Sequence, residues 1–216
     1  MKPLSECQLY TFVDTAYLRG RSPQSVSESL CEGGADLIQL RAKDLPLDEI
    51  RDMATAILPI TMRAGVYLVI NDHPLLAAET GAPLSHLGQE DFFDAGYRHT
   101  SQLRSRDPHL RVGLSTHSPA QAERAIAAGA DYIAVGPVYA TGTKPAAKPV
   151  TLDYVKWAAA NVRIPWFAIG GINLDNLDAV LAAGARRIGV VSAILNAADI
   201  TGACRIFKSR LLAARF

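Results

Sequence analysis

Short apolar, β-branched runs alternate with longer segments of helical period along the whole chain, and this alternation limits the fold more than any other feature. It calls for parallel strands, each joined to the next by a crossover helix. Eight strand candidates stand out, at 9–13, 37–40, 66–70, 84–87, 111–114, 132–135, 166–169 and 187–191, each followed by a helix-sized segment. Eight βα units in 216 residues suit a closed barrel better than an open sheet. The expected fold is an α/β single (β/α)8 TIM barrel, one domain over 1–216, with its active site at the carboxyl ends of the strands. Gly34-Ala35, Gly81-Ala82, Gly129-Ala130 and Gly184-Ala185 each fall where a helix gives way to an even-numbered strand, a place for a left-handed glycine cap.

Composition removes several classes of function. With 22 Lys+Arg against 21 Asp+Glu the formal net charge is +1, so no global field draws the chain to nucleic acid or to a membrane. The start, Met1 to Glu6, lacks the apolar core of a targeting peptide, and no run approaches the ~18 apolar residues of a membrane span. A cytoplasmic location is the expectation. Cys7, Cys31 and Cys204 are odd in number, far apart and without zinc spacing, which reads as reduced, structural thiols. No nucleophile elbow and no GxGxxG after a strand is present.

In a barrel the chemistry lies in the residues that directly follow each apolar run. Strand 2 leads into Gln39, Arg41 and Lys43, which alternate with Leu40 and Ala42 and so share one side of the strand and its extension. Strand 3 gives Asn71 and Asp72; strand 4 gives His86, Gln89, Glu90 and Asp91; strand 5 gives Ser115, Thr116 and His117. Strand 6 gives Thr141, Thr143 and Lys144, inside an irregular loop over 139–150; strand 7 gives Gly170-Gly171 and strand 8 gives Ser192.

Arg41, Lys43 and Lys144 without carboxylate partners would repel one another, which points to a polyanion. Asp72 and Asp91 suit magnesium, which is usually held by one or two carboxylates plus substrate phosphates, with Glu90 as substitute if the loop turns. Asp72 also reads as a helix N-cap ahead of His73-Pro74. Gly170-Gly171 and Val191-Ser192, with a helix start near Ala193, stand where barrels bind phosphate through backbone N–H groups. Two anion sites imply two substrates, one of them carrying diphosphate as a leaving group. His73, His99 and His109 read as solvent-facing, whereas His86 and His117 are open between functional and structural roles.

The segments Gln39-Leu-Arg-Ala-Lys43, Ile70-Asn-Asp72, His86-Leu-Gly-Gln-Glu-Asp91, Gly113-Leu-Ser-Thr-His117, Gly136-Pro-Val-Tyr-Ala-Thr-Gly-Thr-Lys144, Ala168-Ile-Gly-Gly-Ile172 and Val190-Val-Ser-Ala-Ile194 resemble thiamin phosphate synthases in order and spacing, over nearly the whole chain. The resemblance implies a transferase of thiamin biosynthesis that joins 4-amino-2-methyl-5-hydroxymethylpyrimidine diphosphate to a thiazole phosphate and releases diphosphate by a dissociative, carbocation route. It implies that Gln39, Arg41, Lys43, Asn71, Ser115 and Lys144 hold the pyrimidine diphosphate, with Leu40 and Ala42 in the same segment, and that Mg2+ sits on Asp72 and Asp91. Thr141, Gly142, Thr143, the backbone of Gly171, and Val191-Ser192 would take the thiazole phosphate. Arg41, Lys43, Lys144 and Ser115 form the implied catalytic set. The partners implied are these two small molecules, with no nucleic acid and no membrane; a homodimer is compatible with the sequence.

Three positions depart from the family pattern. Gly81-Ala-Pro-Leu-Ser-His86 replaces Gly-Ala-Asp-Gly-Val-His, Pro149-Val150 stands where glycine is frequent, and Ala42 stands where Glu is common. Two rival readings remain. One is a thiazole tautomerase of the same superfamily, with His117 as its acid–base group, which has no use for Gln89-Glu90-Asp91 or Lys144. The other is a non-catalytic phosphate-binding barrel, which is expected to have lost a metal ligand or a diphosphate cation.

Overall fold

A computed structural model describes residues 1–141 and 149–214. Eight parallel strands close into a barrel in chain order: β1 Leu9–Asp14, β2 Leu37–Arg41, β3 Tyr67–Asn71, β4 Leu84–Leu87, β5 Arg111–Thr116, β6 Tyr132–Val135, β7 Trp166–Ile169 and β8 Ile188–Gly189. All eight expected strands are present. β8 is shorter than its 187–191 candidate because the chain turns into a helix once Val190 has donated to the Tyr10 carbonyl at 2.9 Å. The helices are α1 Pro23–Glu32, α2 Leu47–Arg63, α3 Pro74–Thr80, α4 Gln89–Asp94, α5 Pro119–Ala127, α6 Thr151–Asn161, α7 Leu177–Ala182, α8 Ser192–Leu195 and α9 Ile200–Ala213. No described helix is long and apolar enough to cross a membrane.

The helix boundaries follow ordinary capping chemistry. Ser22 and Ser118 each accept a backbone N–H from the first turn, ahead of Pro23 and Pro119 at the opening positions of α1 and α5. Gly81 ends α3 in left-handed backbone at φ 79°, and Gly34, Gly129 and Gly184 adopt the same region, as their places in the sequence predict. All three cysteines are free, with Cys7 and Cys204 buried.

Alternate strand residues point into the barrel, and its interior is aromatic and polar where aliphatic layers are commoner. Tyr10 stacks on Phe12 at 5.0 Å and meets Tyr132 and Phe167 edge-on. Such bulk fits only because neighbouring inward positions are small. A Cβ at Gly113 would lie 2.1 Å from the Tyr132 ring, and one at Gly189 would lie 2.9 Å from Ile169.

Opposite the strand carboxyl ends, buried Asp36 ties the chain's start to its last helix. Its carboxylate accepts from the amides of Gln8 (2.6 Å) and Leu9 (2.9 Å), and from the ammonium groups of Lys2 (2.7 Å) and Lys208 on α9 (2.6 Å). Burial alone would raise its pKa, but these donors outweigh burial and hold it below the ordinary carboxylate value. Stability from a depressed carboxylate is fully present above the unfolded pKa, ~3.9, and is lost as pH falls through the lower folded value. Asp36→Asn is expected to cost about 1–3 kcal/mol by leaving buried donors unpaired, and to flatten the acid limb of stability below about pH 4. Thermal unfolding across pH 3–7 checks this, and a variant melting with the parent at pH 7 refutes the clamp.

Candidate active site

The period of two gathers the functional side chains at the mouth. One cleft at the strand carboxyl ends is lined by Gln39, Arg41 and Lys43 from β2 and its extension, Asn71 at the end of β3, Asp72 just after it, and Asp91 in α4. Ser115 and His117 continue the ring, followed by Thr141, Gly171, Val191 and Ser192. Leu40 lies in the core, and Ala42 is buried as well, so both are the outward alternates of that series. Gly142, Thr143 and Lys144 lie outside the described residues.

The two described cations differ from the unpaired pair expected. Arg41 donates to the Asp14 carboxylate at 2.9 Å, with the Asp14 side chain only 1% exposed. Asp14 also caps the turn at Thr15–Tyr17 by accepting from Ala16, so it is fixed from both sides. Sequence reading missed Asp14; the signal was available, since it is the first polar residue after the run at 9–13. Lys43 lies 3.4 Å from Asp72, where both side chains are substantially exposed. That second pair is worth little, about 0–1 kcal/mol, and can be exchanged for an incoming anion.

Asp72 is not a helix cap. The N-cap of α3 is His73, which makes no side-chain capping bond. Asp72 instead holds a left-handed backbone at φ 62°, uncommon for a residue with a side chain, while its amide donates to the His86 carbonyl at 2.8 Å. Its carboxylate accepts from Asn71 at 2.6 Å. Asp91 faces the same cleft, and a Cβ at Gly88 would lie 2.5 Å from its Oδ2, so glycine there leaves room for the carboxylate. Glu90 is exposed away from the cleft lining, and Gln89 turns inward with its Oε1 unpaired.

Thr116 is a correction. Ser115 points inward, so its neighbour points out to the helices, where buried Thr116 donates to the Ala134 carbonyl and accepts from Tyr154 of α6. His73 is half-buried and not fully solvent-facing, whereas His99 and His109 are exposed as expected. His86 is buried inside the barrel, its Nδ1 3.1 Å from the Tyr132 hydroxyl and its Nε2 2.9 Å from Ser115 Oγ. His117 donates from Nδ1 to the Gly136 carbonyl, and its amide donates to Gln121 at 2.6 Å, which holds the ring at the edge of the cleft.

On the far side, the loops after β6 and β7 are zipped together. Val138 and Tyr139 donate to the carbonyls of Ile169 and Gly170 at 2.9 and 3.0 Å. A Cβ at Gly171 would meet the Ala140 carbonyl at 2.5 Å, and both glycines hold positive φ, so the Gly-Gly pair is required by close backbone approach. Val191 forms the N-cap of α8, whose first residue is Ser192. Arg21 steadies this corner by donating to the carbonyls of Tyr17, Leu18 and Leu195.

By fold and site the protein is a (β/α)8 barrel with a cleft of polar and charged side chains at the strand carboxyl ends, in the position used by barrel enzymes. Comparison narrows the class. The model of the family described as thiamine monophosphate synthase matches residues 9–194. A thiamine-phosphate synthase of Thermus thermophilus is 46% identical over 186 residues, covering 86% of this chain and 87% of the relative. One from Halalkalibacterium halodurans is 37% identical over 209 residues, covering 96% and 97%. The solved thiamine phosphate pyrophosphorylase from Pyrococcus furiosus superposes with a TM-score of 0.85 at 29% identity, covering 99% of each chain. The chain belongs to the thiamine monophosphate synthase family, whose members are transferases.

Asp14→Ala is expected to cost about 3–5 kcal/mol, because it leaves a mostly buried guanidinium without its counter-charge, and to weaken binding of inorganic diphosphate at the cleft. Denaturant unfolding and calorimetric titration read the two effects. A variant as stable as the parent would show that Arg41 does not depend on Asp14.

Proposed function

We propose that this protein joins 4-amino-2-methyl-5-hydroxymethylpyrimidine diphosphate to a thiazole phosphate, with magnesium, and releases diphosphate to give thiamin phosphate. The observation that carries the reading is the division of one cleft into two kinds of rim. Arg41, Lys43, Asp72 and Asp91 crowd one arc, and the backbone corner at Gly171, Val191 and Ser192 forms the other. One arc offers charge to a leaving diphosphate; the other offers N–H groups to a monophosphate. Family membership supports the same pairing.

The donor set suits magnesium. Among the described residues no three His, Cys, Asp or Glu side chains gather, which argues against a closed protein cage. Two carboxylates on a cleft with room for phosphate oxygens match an ion that shares its ligands with substrate. When bound, the ion neutralises charge that develops on the departing diphosphate. Arg41, held by Asp14, and Lys43, freed from Asp72, face the same anion. Lys144 takes part on the strength of the resemblance. No protein nucleophile is required: an electron-rich aminopyrimidine carries the cation at its exocyclic carbon until the thiazole nitrogen captures it.

The defining experiment mixes both substrates with magnesium and follows thiamin phosphate and diphosphate. Asp72→Ala and Asp91→Ala are expected to lower turnover by at least about 10²-fold with the fold intact. Full activity of either variant in metal-free buffer removes the metal assignment.

His117 separates this reading from the tautomerase. Its ring is tethered to a backbone carbonyl at the cleft edge, and a carbocation route needs charge stabilisation more than proton transfer. His117→Ala is expected to keep most coupling activity, while Arg41→Ala loses about 10²–10³-fold. If His117→Ala is inactive, Arg41→Ala is mild and the protein isomerises thiazole phosphate without pyrimidine, the tautomerase reading takes over.

A further inference from the structure

Beneath the cleft, five side chains from five strands form an unbroken hydrogen-bonded chain. Gln39 Nε2 lies 2.5 Å from the Tyr10 hydroxyl, and Tyr10 lies 3.2 Å from the Tyr132 hydroxyl. Tyr132 lies 3.1 Å from His86 Nδ1, and His86 Nε2 lies 2.9 Å from Ser115 Oγ. The strand register explains the middle link. His86 pairs with Gly113 and Gly113 with Tyr132, so the two functional side chains flank a residue that has none and meet across it. Gln39, Tyr10, Tyr132 and His86 are all buried, so an unmatched donor there would cost about 1–3 kcal/mol.

Proton counting then fixes the direction of every link. An amide nitrogen only donates, so the Tyr10 oxygen accepts from Gln39. The Tyr10 proton goes to Tyr132, the other partner of its hydroxyl. Tyr132, having accepted, places its own proton on His86 Nδ1. A neutral imidazole with a lone pair at Nδ1 carries its hydrogen on Nε2 and donates it to Ser115. The Ser115 oxygen accepts, and its hydroxyl proton is left for the cleft that it lines. Burial pushes both phenols well above their ordinary range, so each keeps the single proton this count requires.

We propose that Gln39, Tyr10, Tyr132 and His86 are a polarity-setting chain that makes Ser115 a hydrogen-bond donor to ligand, and not a nucleophile activated by His86. A serine 2.9 Å from a histidine that is oriented by a third group has the outline of a nucleophilic pair. The direction of the chain excludes that role, because His86 gives its proton to Ser115 and has no vacancy to take one. Tyr132 is thereby a positioning residue that sets the histidine tautomer. The direction of the chain rests on the hydrogen-bond geometry alone, whereas the meeting of Ser115 with a ligand rests on the cleft being the proposed site.

The direction is set at the far end, so a change at Gln39 must be felt at His86. Gln39→Glu puts an acceptor beside Tyr10; Tyr10 then donates outward, Tyr132 donates to Tyr10, and His86 must carry its hydrogen on Nδ1. The test is nitrogen-15 NMR of ligand-free protein labelled at histidine, with the His86 signals assigned by their loss in His86→Gln. The parent is expected to show His86 as the Nε2–H tautomer, and Gln39→Glu to exchange the two nitrogen shifts. Tyr132→Phe cuts the chain and is expected to move both shifts toward the average of the two tautomers, which decides the matter if Gln39→Glu fails to fold. An Nδ1–H or doubly protonated His86 in the parent, or unchanged His86 shifts in either folded variant, overturns the proposal.

Discussion

Closing eight parallel strands sends every second side chain into one narrow ring, and both the core and the site of this protein follow from that parity. Low in the barrel the inward positions must share a fixed volume. Tyr10, Tyr132 and Phe167 take most of it, and Gly113, Ala134 and Gly189 give way. Higher up the same positions have no opposite wall to pack against. They become Arg41, Asn71, Ser115 and the residues after them, facing a cleft. A slip of one residue in β2 would bury Arg41 among the helices and bring Leu40 to the mouth. Packing and chemistry are thus held in register by one constraint.

The charges of the mouth are managed at two strengths. Arg41 is paired with a carboxylate that water hardly reaches, so its guanidinium is a fixed part of the barrel wall. Lys43 and Asp72 meet at longer range in a more exposed place, and each can leave the other for a better partner. Both groups would gain from an anion and a divalent cation arriving together, since the ammonium would turn to the first and the carboxylate to the second. The pair keeps two opposite charges from standing alone in the cleft.

Much of this was legible from residue order. The alternation Gln39, Arg41, Lys43 gives their common face from residue order alone, and the eight apolar runs became the eight strands with end shifts of at most two residues, apart from the short β8. Asp14 was hidden because the β1 run was cut one residue early, and because a lone Asp after a strand carries no motif. Tyr10 and Tyr132 were hidden for a different reason. An aromatic inside an apolar run looks like core, and nothing local tells that its hydroxyl meets a partner 122 residues away. Thr116 was misread as rim because the list of residues after a strand ignores the parity that turns alternate members outward. Local periodicity reports the face a side chain takes; which groups meet across the barrel depends on strand order and stagger, which no single window contains.

The order of strands around the ring also bears on how two anions could be kept apart. β2, β3 and β4 are consecutive neighbours and deliver Arg41, Lys43, Asp72 and Asp91, while β6, β7 and β8 are consecutive on the other arc and deliver the zipped loops and the start of α8. β5 stands at one seam with Ser115 and His117, and β1 closes the other with Asp14 beneath Arg41. In the proposed reaction, a diphosphate leaving toward the first arc would move away from a monophosphate held at the second, and mutual repulsion of the anions would favour their separation. The organic parts of the two molecules would then meet over the middle of the ring, above Tyr10 and His86. There the polar side chains of the hydrogen-bonded chain lie beneath them, with the directions proposed above set before any ligand arrives. In the proposed reaction such a site would spend little reorganisation at the moment charge develops, because Arg41 is anchored by Asp14 and the Ser115 hydroxyl is held by His86.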